Sequence, residues 1–93
     1  MEIINKIQYS KNISWTLLGN EIFIFDETTN ELTLLKGIMK DFWMLLSKTE
    51  SFDEIITFLS TKYKDNKERI SEKIIIKIKE LTRKNLLIVE GIL

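Results

Sequence analysis

The 93 residues include no cysteine, no histidine and no proline. Without cysteine and histidine the chain has no Cys/His zinc site, no disulfide bond and no thiol nucleophile, and its serines lack an activating histidine. Its three glycines, Gly19, Gly37 and Gly91, are isolated, so no glycine-rich phosphate loop exists. We therefore predict a protein that is not an enzyme, with no catalytic residue, no metal site and no cofactor.

Long apolar runs and an excess of charge are also missing. No apolar stretch approaches the ~20 residues of a membrane span, and the N-terminus lacks the basic and apolar segments of a secretory signal. We expect a cytoplasmic protein that does not contact a membrane. The formal net charge is zero, whereas nucleic-acid-binding proteins usually carry a basic excess that neutralises phosphates. We therefore expect no nucleic-acid partner.

The length predicts a single domain over residues 1–93, in which residues 1–12 can form an N-terminal arm. Charge is unevenly spread along this domain: residues 1–56 carry a net charge of −4, and residues 62–84 carry +5. The simpler interpretation of the basic segment is a solvated helix face. The functional interpretation is a patch that attracts an acidic peptide or partner.

The first half of the chain has the pattern of three strands. Residues 13–18 and 21–26 are rich in β-branched and aromatic residues and are separated by Gly19-Asn20, a plausible hairpin turn. A second turn, in which Asn30 can take a left-handed conformation, leads to a short strand over residues 32–35. These segments predict a three-stranded antiparallel meander.

The second half has helical periodicity. A first helix is predicted over residues 38–46, with Trp43 as a core anchor and Asp41 on the outer face. Two capping boxes, Ser51 with Glu54 and Asp65 with Glu68, predict the starts of two further helices. Their predicted core stripes are Ile55, Phe58 and Leu59, then Ile70, Ile74, Ile78 and Leu81. A short strand or tail follows at residues 86–89. The predicted fold is α+β and winged-helix-like, a three-stranded antiparallel sheet followed by three helices.

This element order leaves two alternatives open. In a winged-helix transcription regulator, the third helix would enter the DNA major groove. Glutamates 68, 72 and 80 interrupt its basic surface, and no Arg, Asn or Gln set is arranged for base edges. The chain could also be a structural subunit or part of a larger enzyme.

One family resemblance covers about residues 13–89. A strand ends at Asp26, a Thr28-Thr29-Asn30 turn follows, and a short strand leads to Leu35, Phe42, Trp43, Leu45 and Leu46 at the spacing of the family motif. In these features the chain resembles the PqqD-like family, the RiPP recognition elements that bind leader peptides of ribosomally made precursors.

The resemblance implies a location for the binding site. In this family the leader peptide adds as a strand to the edge of the sheet and lies in the cleft facing the third helix. The edge would be formed by Glu31, Leu32, Thr33, Leu34 and Leu35. The cleft wall would be formed by Ile70, Lys73, Ile74, Lys77 and Leu81. Lys73 and Lys77 would favour an acidic leader.

The resemblance also implies the partners. The chain would be a peptide chaperone that binds a precursor leader and presents it to a separate maturation enzyme. That enzyme would be a radical SAM enzyme, a cyclodehydratase or a leader peptidase. An open sheet edge also allows a homodimer by strand exchange.

Overall fold

The computed structural model describes residues 3–92 and gives them five strands and three helices. In chain order these are β1 (Ile3–Tyr9), β2 (Ile13–Leu18), β3 (Glu21–Asp26), β4 (Leu32–Lys36), α1 (Ile38–Leu45), α2 (Phe52–Tyr63), α3 (Lys67–Arg83) and β5 (Leu87–Ile92). The three predicted strands and three predicted helices are all present, so the predicted α+β class is confirmed. The predicted domain also includes residues 1, 2 and 93, which lie outside the described residues.

Strands β2, β3 and β4 form the antiparallel meander, with β3 in the centre. At the first turn Gly19 has a φ of 61°, a conformation open to glycine because it has no Cβ. Asn30 has a φ of 63°, as predicted for the second turn. The Asp26 side chain stabilises that turn by accepting a hydrogen bond of 2.8 Å from the Thr28 N–H.

A second, two-stranded sheet joins the two ends of the chain. Strand β1 pairs antiparallel with β5, with Ile7 opposite Val89. Ile7 is fully buried, and its N–H donates a 3.1 Å hydrogen bond to the Glu50 carbonyl, between α1 and α2. The N-terminal arm is therefore an ordered strand from Ile3 onward, and it contributes to the core.

The core lies between the inner face of the meander and the helices. Trp43 of α1 is fully buried, as predicted, and Trp15 of β2 is half-buried. The Trp43 ring lies 4.8 Å from the ring of Tyr9 and 6.2 Å from that of Trp15, measured between centroids. Burial raises the pKa of Tyr9 to about 12, an effect that a hydrogen bond with Ser47 partly opposes. This aromatic cluster joins β1, β2 and α1.

The helix starts follow the predicted capping chemistry in part. At α2 the Ser51 hydroxyl accepts a hydrogen bond from the Glu54 N–H, which confirms Ser51 as the N-cap. The reciprocal bond of the predicted capping box is not made, because the Ser51 N–H donates to the Thr49 hydroxyl oxygen at 3.1 Å. At α3 the prediction of Asp65 as N-cap is wrong, because Asn66 accepts the hydrogen bond from the Arg69 N–H. Asparagine is as good an N-cap as aspartate, and the two residues are adjacent, so the pattern left the start uncertain by one residue.

Two predicted orientations on α1 and α2 are also wrong. Phe58 was expected in the core but is 52% exposed, and Ile56 is buried instead. Asp41 was expected on the outer face but is buried. Its carboxylate accepts a hydrogen bond from the Tyr63 hydroxyl and forms ion pairs with Lys40 and Lys62 at 3.2 and 3.0 Å. A polar network therefore joins α1 to the end of α2.

The electrostatics of this network follow from burial and charge. Burial alone would raise the pKa of Asp41, but the hydrogen bond from Tyr63 and the contacts with Lys62 and Lys40 outweigh it and lower that pKa below its ordinary value. Burial and the adjacent carboxylate together raise the pKa of Tyr63 to about 12. At neutral pH the carboxylate is therefore ionised and the phenol is protonated, which is the pairing that the hydrogen bond requires.

Candidate functional site

Along each edge strand of the meander, alternate residues direct their backbone N–H and C=O groups away from the sheet. The Asp26 N–H donates to the Glu31 carbonyl at 2.9 Å, in register with the β3–β4 pairs. Hydrogen-bonded pairs alternate along an antiparallel ladder. Thr33 and Leu35 therefore bond to β3, whereas the backbone groups of Leu32, Leu34 and Lys36 point away from the sheet.

At the other edge of the meander, strand β2 shows the same alternation. The Glu27 N–H donates to the Asn12 carbonyl at 3.0 Å, in register with the β2–β3 pairs. The backbone groups of Ile13, Trp15 and Leu17 are consequently the ones that face away from β3. Within residues 3–92, the meander has β2 and β4 at its two edges, so a strand could be added to the meander at either of them.

The β4 edge faces α3 across a groove. This groove has a volume of about 390 Å³. It is lined by Leu32, Thr33, Leu34, Leu35, Lys36, Met39, Lys77, Glu80, Leu81 and Lys84. The α3 residues 77, 80, 81 and 84 are spaced i, i+3, i+4 and i+7, which places them on one helix face. The groove therefore has a strand edge on one side and a single face of α3 on the other.

The structure brings together part of the predicted site. Of the predicted edge residues, Leu32, Thr33, Leu34 and Leu35 line the groove, together with Lys77 and Leu81 from the predicted cleft wall. Glu31 is exposed and precedes β4, outside the groove lining.

The remaining predicted wall residues lie elsewhere. Ile70 and Ile74 are buried in the hydrophobic core and do not line the groove. Lys73 is exposed and lies four residues before Lys77, so it continues the groove face of α3 by one turn. The Ile70–Ile74 stripe packs against the core, and the groove face of α3 is the neighbouring stripe.

Four groove residues were missed: Lys36, Met39, Glu80 and Lys84. Glu80 and Lys84 follow Lys77 at i+3 and i+7, so the helical spacing was a signal that could have found them. Lys36 and Met39 come from the end of β4 and the start of α1. Their position depends on the turn at Gly37, whose φ is 62°.

The charge in the groove is mainly positive. Lys77 lies 3.5 Å from Glu80, so this pair is largely neutralised. Lys36 and Lys84 form no ion pair with any residue in the described range 3–92. Two lysines therefore remain available at the groove, one on the strand and one on the helix.

Residues 3–92 contain neither a candidate membrane span nor a candidate metal site. None of α1, α2 and α3 combines the length and the apolar character needed to cross a bilayer. No cluster of three or more acidic side chains in that range is arranged to hold a metal ion.

Comparison with known proteins gives one informative match. No family model matches the sequence, and no curated protein matches it. Among solved structures, the chain is similar to "TbiB1 in Complex with the TbiA(beta) Leader Peptide", with a TM-score of 0.82 and 18% sequence identity. The similarity covers 86% of this chain and 93% of that chain. It shows that the fold is shared, which confirms the fold implied by the PqqD-like resemblance. It gives no support to the DNA-binding alternative.

Proposed function

We propose that the chain is a non-catalytic binding protein that recognises the leader segment of a ribosomally made precursor peptide. The peptide adds as a strand to β4, and its inward side chains enter the groove between β4 and α3. The observation that carries this proposal is that free backbone groups of Leu32 and Leu34 border that groove. In such strand addition, main-chain hydrogen bonds supply affinity and side-chain pockets supply register.

The fold comparison supports this assignment. The similar structure is a complex of TbiB1 with the TbiA(beta) leader peptide. A peptide at β4 would lie beside Met39 and Leu81, which are both buried or nearly so. The β2 edge offers free amides as well, but it lies on the far side of β3 from the groove that α3 lines. Strand addition at β4 therefore brings the peptide against the α3 residues of that groove.

The groove charge favours an acidic peptide segment. Lys36 and Lys84 flank the groove without ion-pair partners in the part of the chain that the structure describes, and Lys73 extends the basic face of α3. A glutamate or aspartate in the peptide would form charge-assisted hydrogen bonds with these ammonium groups. Lys77 is paired with Glu80, so Lys36 and Lys84 at the groove and the exposed Lys73 one turn before it supply the positive charge.

The role of the complex follows from the chemistry of the chain. The sequence has no cysteine and no histidine with which to modify a bound peptide. The protein therefore holds the leader while a separate enzyme acts on the rest of the precursor. A radical SAM enzyme, a cyclodehydratase and a leader peptidase are the candidate classes.

A proline at the free edge of β4 tests strand addition. Leu34→Pro removes an N–H that points away from β3, so the meander keeps its own hydrogen bonds, as edge prolines do in natural sheets. We expect binding of a synthetic peptide with the sequence of a candidate precursor leader to weaken by about tenfold to a hundredfold, because a main-chain bond is lost. Isothermal titration calorimetry measures the change.

The matched control for this variant is Leu17→Pro, which removes the corresponding amide from the free edge of β2. It should bind the peptide as the original chain does. Equal weakening by both prolines would indicate a general effect on the sheet. Weakening by Leu17→Pro alone would move strand addition to β2 and contradict the proposed site.

Charge reversal tests the acidic preference. The double variant Lys36→Glu, Lys84→Glu should weaken binding of a leader with acidic residues by about tenfold, since each exposed ion pair contributes ~0.2–1 kcal/mol. Lys67→Glu at the start of α3 serves as a control for a charge change outside the groove. Calorimetry at two salt concentrations should show a reduced salt dependence for the double variant. An unchanged affinity would rule out the charge preference while leaving strand addition intact.

A further inference from the structure

The outer face of the meander is unusually apolar for a sheet surface without a helix on it. Leu32 is 63% exposed, Leu34 is 47% exposed and Phe25 is 38% exposed. Phe23 lies opposite Leu34, and Phe25 lies opposite Leu32, so these four side chains share one face of the sheet. An antiparallel sheet with one solvated face normally carries polar residues there. This outer patch, formed by Phe23, Phe25, Leu32 and Leu34, therefore calls for an explanation beyond folding.

The outer patch is continuous with the proposed peptide site. A shallow depression of about 250 Å³ lies on this face, and Leu32 lines both the depression and the groove. Leu32 and Leu34 are also the residues whose backbone groups point to the free edge of β4. A strand that bonds to those groups would lie beside the exposed sides of both leucines. The patch and the peptide edge thus meet at the same two residues.

We propose that the bound peptide is recognised on both of its faces, and that its outward positions carry apolar residues that pack on Leu32 and Leu34. This inference rests on the proposed function. Residues directly opposite each other in a ladder have side chains on the same face. The peptide residues that face Leu32 and Leu34 therefore point outward, away from α3. Their apolar side chains would cover leucine surface that is otherwise left to water.

The outward and inward side chains of the bound strand define a class of peptide. The two outward side chains beside Leu32 and Leu34 are apolar and are spaced i and i+2. The next outward side chain lies beside Lys36 and is acidic. Inward positions contact Met39 and Leu81 in the groove. The ligand is therefore a strand with apolar side chains on both faces. An amphipathic strand, apolar on its groove side alone, would leave the outer patch uncovered.

A library selection tests this inference with side-chain variants. Short random peptides are displayed and selected for binding to the original chain, to Leu34→Ser and to Leu18→Ser. Leu18 is 60% exposed and lies on the same face of the sheet, but on β2, so it is a matched control. Both serines replace exposed side chains, and urea unfolding should confirm that both variants remain folded.

The expected result is enrichment of apolar residues in both alternating rows of the selected peptides. Leu34→Ser should weaken the best peptides by about tenfold and abolish the apolar preference at one outward position, because one leucine contact is lost. Leu18→Ser should change neither the affinity nor the preference.

Two other results would overturn the inference in distinguishable ways. If Leu34→Ser binds selected peptides as the original chain does while Leu34→Pro does not, strand addition stands and recognition of the outward row is wrong. If no peptide is enriched and Leu34→Pro leaves binding of the leader peptide unchanged, the proposed function and this inference both fail.

Discussion

We expect Trp43→Ala to lower the free energy of unfolding by about 3–5 kcal/mol, because it leaves a large cavity in the core. Trp43 is fully buried and packs against the rings of Tyr9 and Trp15. Loss of these ring contacts affects the junction of β1, β2 and α1, whereas the hydrogen bond from the Tyr9 hydroxyl to the backbone carbonyl of residue 43 does not depend on the indole. A small domain has only about 5–15 kcal/mol of stability in total. Urea unfolding followed by far-ultraviolet circular dichroism measures the loss.

Trp15→Ala is the natural control for this prediction. Trp15 belongs to the same aromatic cluster but is only half-buried, so less apolar area returns to water when it is truncated. We expect a loss of about 1–2 kcal/mol, clearly smaller than for Trp43. Equal losses for the two variants would contradict the assignment of Trp43 as the central anchor.

The regular elements of this chain were predictable because their patterns are local. The two halves differ in hydrophobic period, about two residues in β2 and β3 and about 3.6 in the helices. The turn at Gly19 depends on the missing Cβ of one residue, and the N-cap at Ser51 depends on a hydrogen bond to a residue three positions away. Such signals do not depend on the rest of the fold. For this reason the observed strands β2, β3 and β4 and the three helices match the elements predicted from the sequence.

The errors occur where the tertiary environment decides orientation. Asp41 has a polar side chain, and polarity alone places it outside. Its burial depends on Tyr63, 22 positions away, and on Lys62, which supply a hydrogen bond and an ion pair. Phe58 has an aromatic side chain, and hydrophobicity alone places it inside. Ile56 occupies the buried position on α2 instead. Neither the burial of Asp41 nor the exposure of Phe58 can be derived from helical spacing alone, because both depend on how α1 and α2 pack.

The residues that β4 contributes to the candidate site were easier to predict than those from α3. Leu32, Leu34 and Leu35 came from the family resemblance, and the structure places them at the groove. On α3 the predicted wall residues Ile70 and Ile74 belong to the core stripe, and the groove is lined by the neighbouring face of the helix. The rotation of α3 about its axis is set by its packing against α2 and β5, and the sequence pattern does not specify which neighbouring stripe faces β4.

A second large loss of stability is expected at strand β1, whose side chains also pack in the core. We expect Ile7→Ala to lower the free energy of unfolding by about 2–5 kcal/mol, because Ile7 is fully buried. Asn5→Ala is the control, since Asn5 is exposed on the same strand. Thermal or urea unfolding of the two variants should separate them clearly.

Removal of residues 1–9 should have a still larger effect. Strand β5 pairs with β1, and the deletion exposes Leu87, which is 3% exposed in the intact chain. We expect the shortened chain to lack a cooperative unfolding transition and, in consequence, to bind no leader peptide. A loosely attached arm would instead leave both properties unchanged. Such a result would contradict the contribution of β1 to the core, and it would mean that the groove forms without the two-stranded sheet.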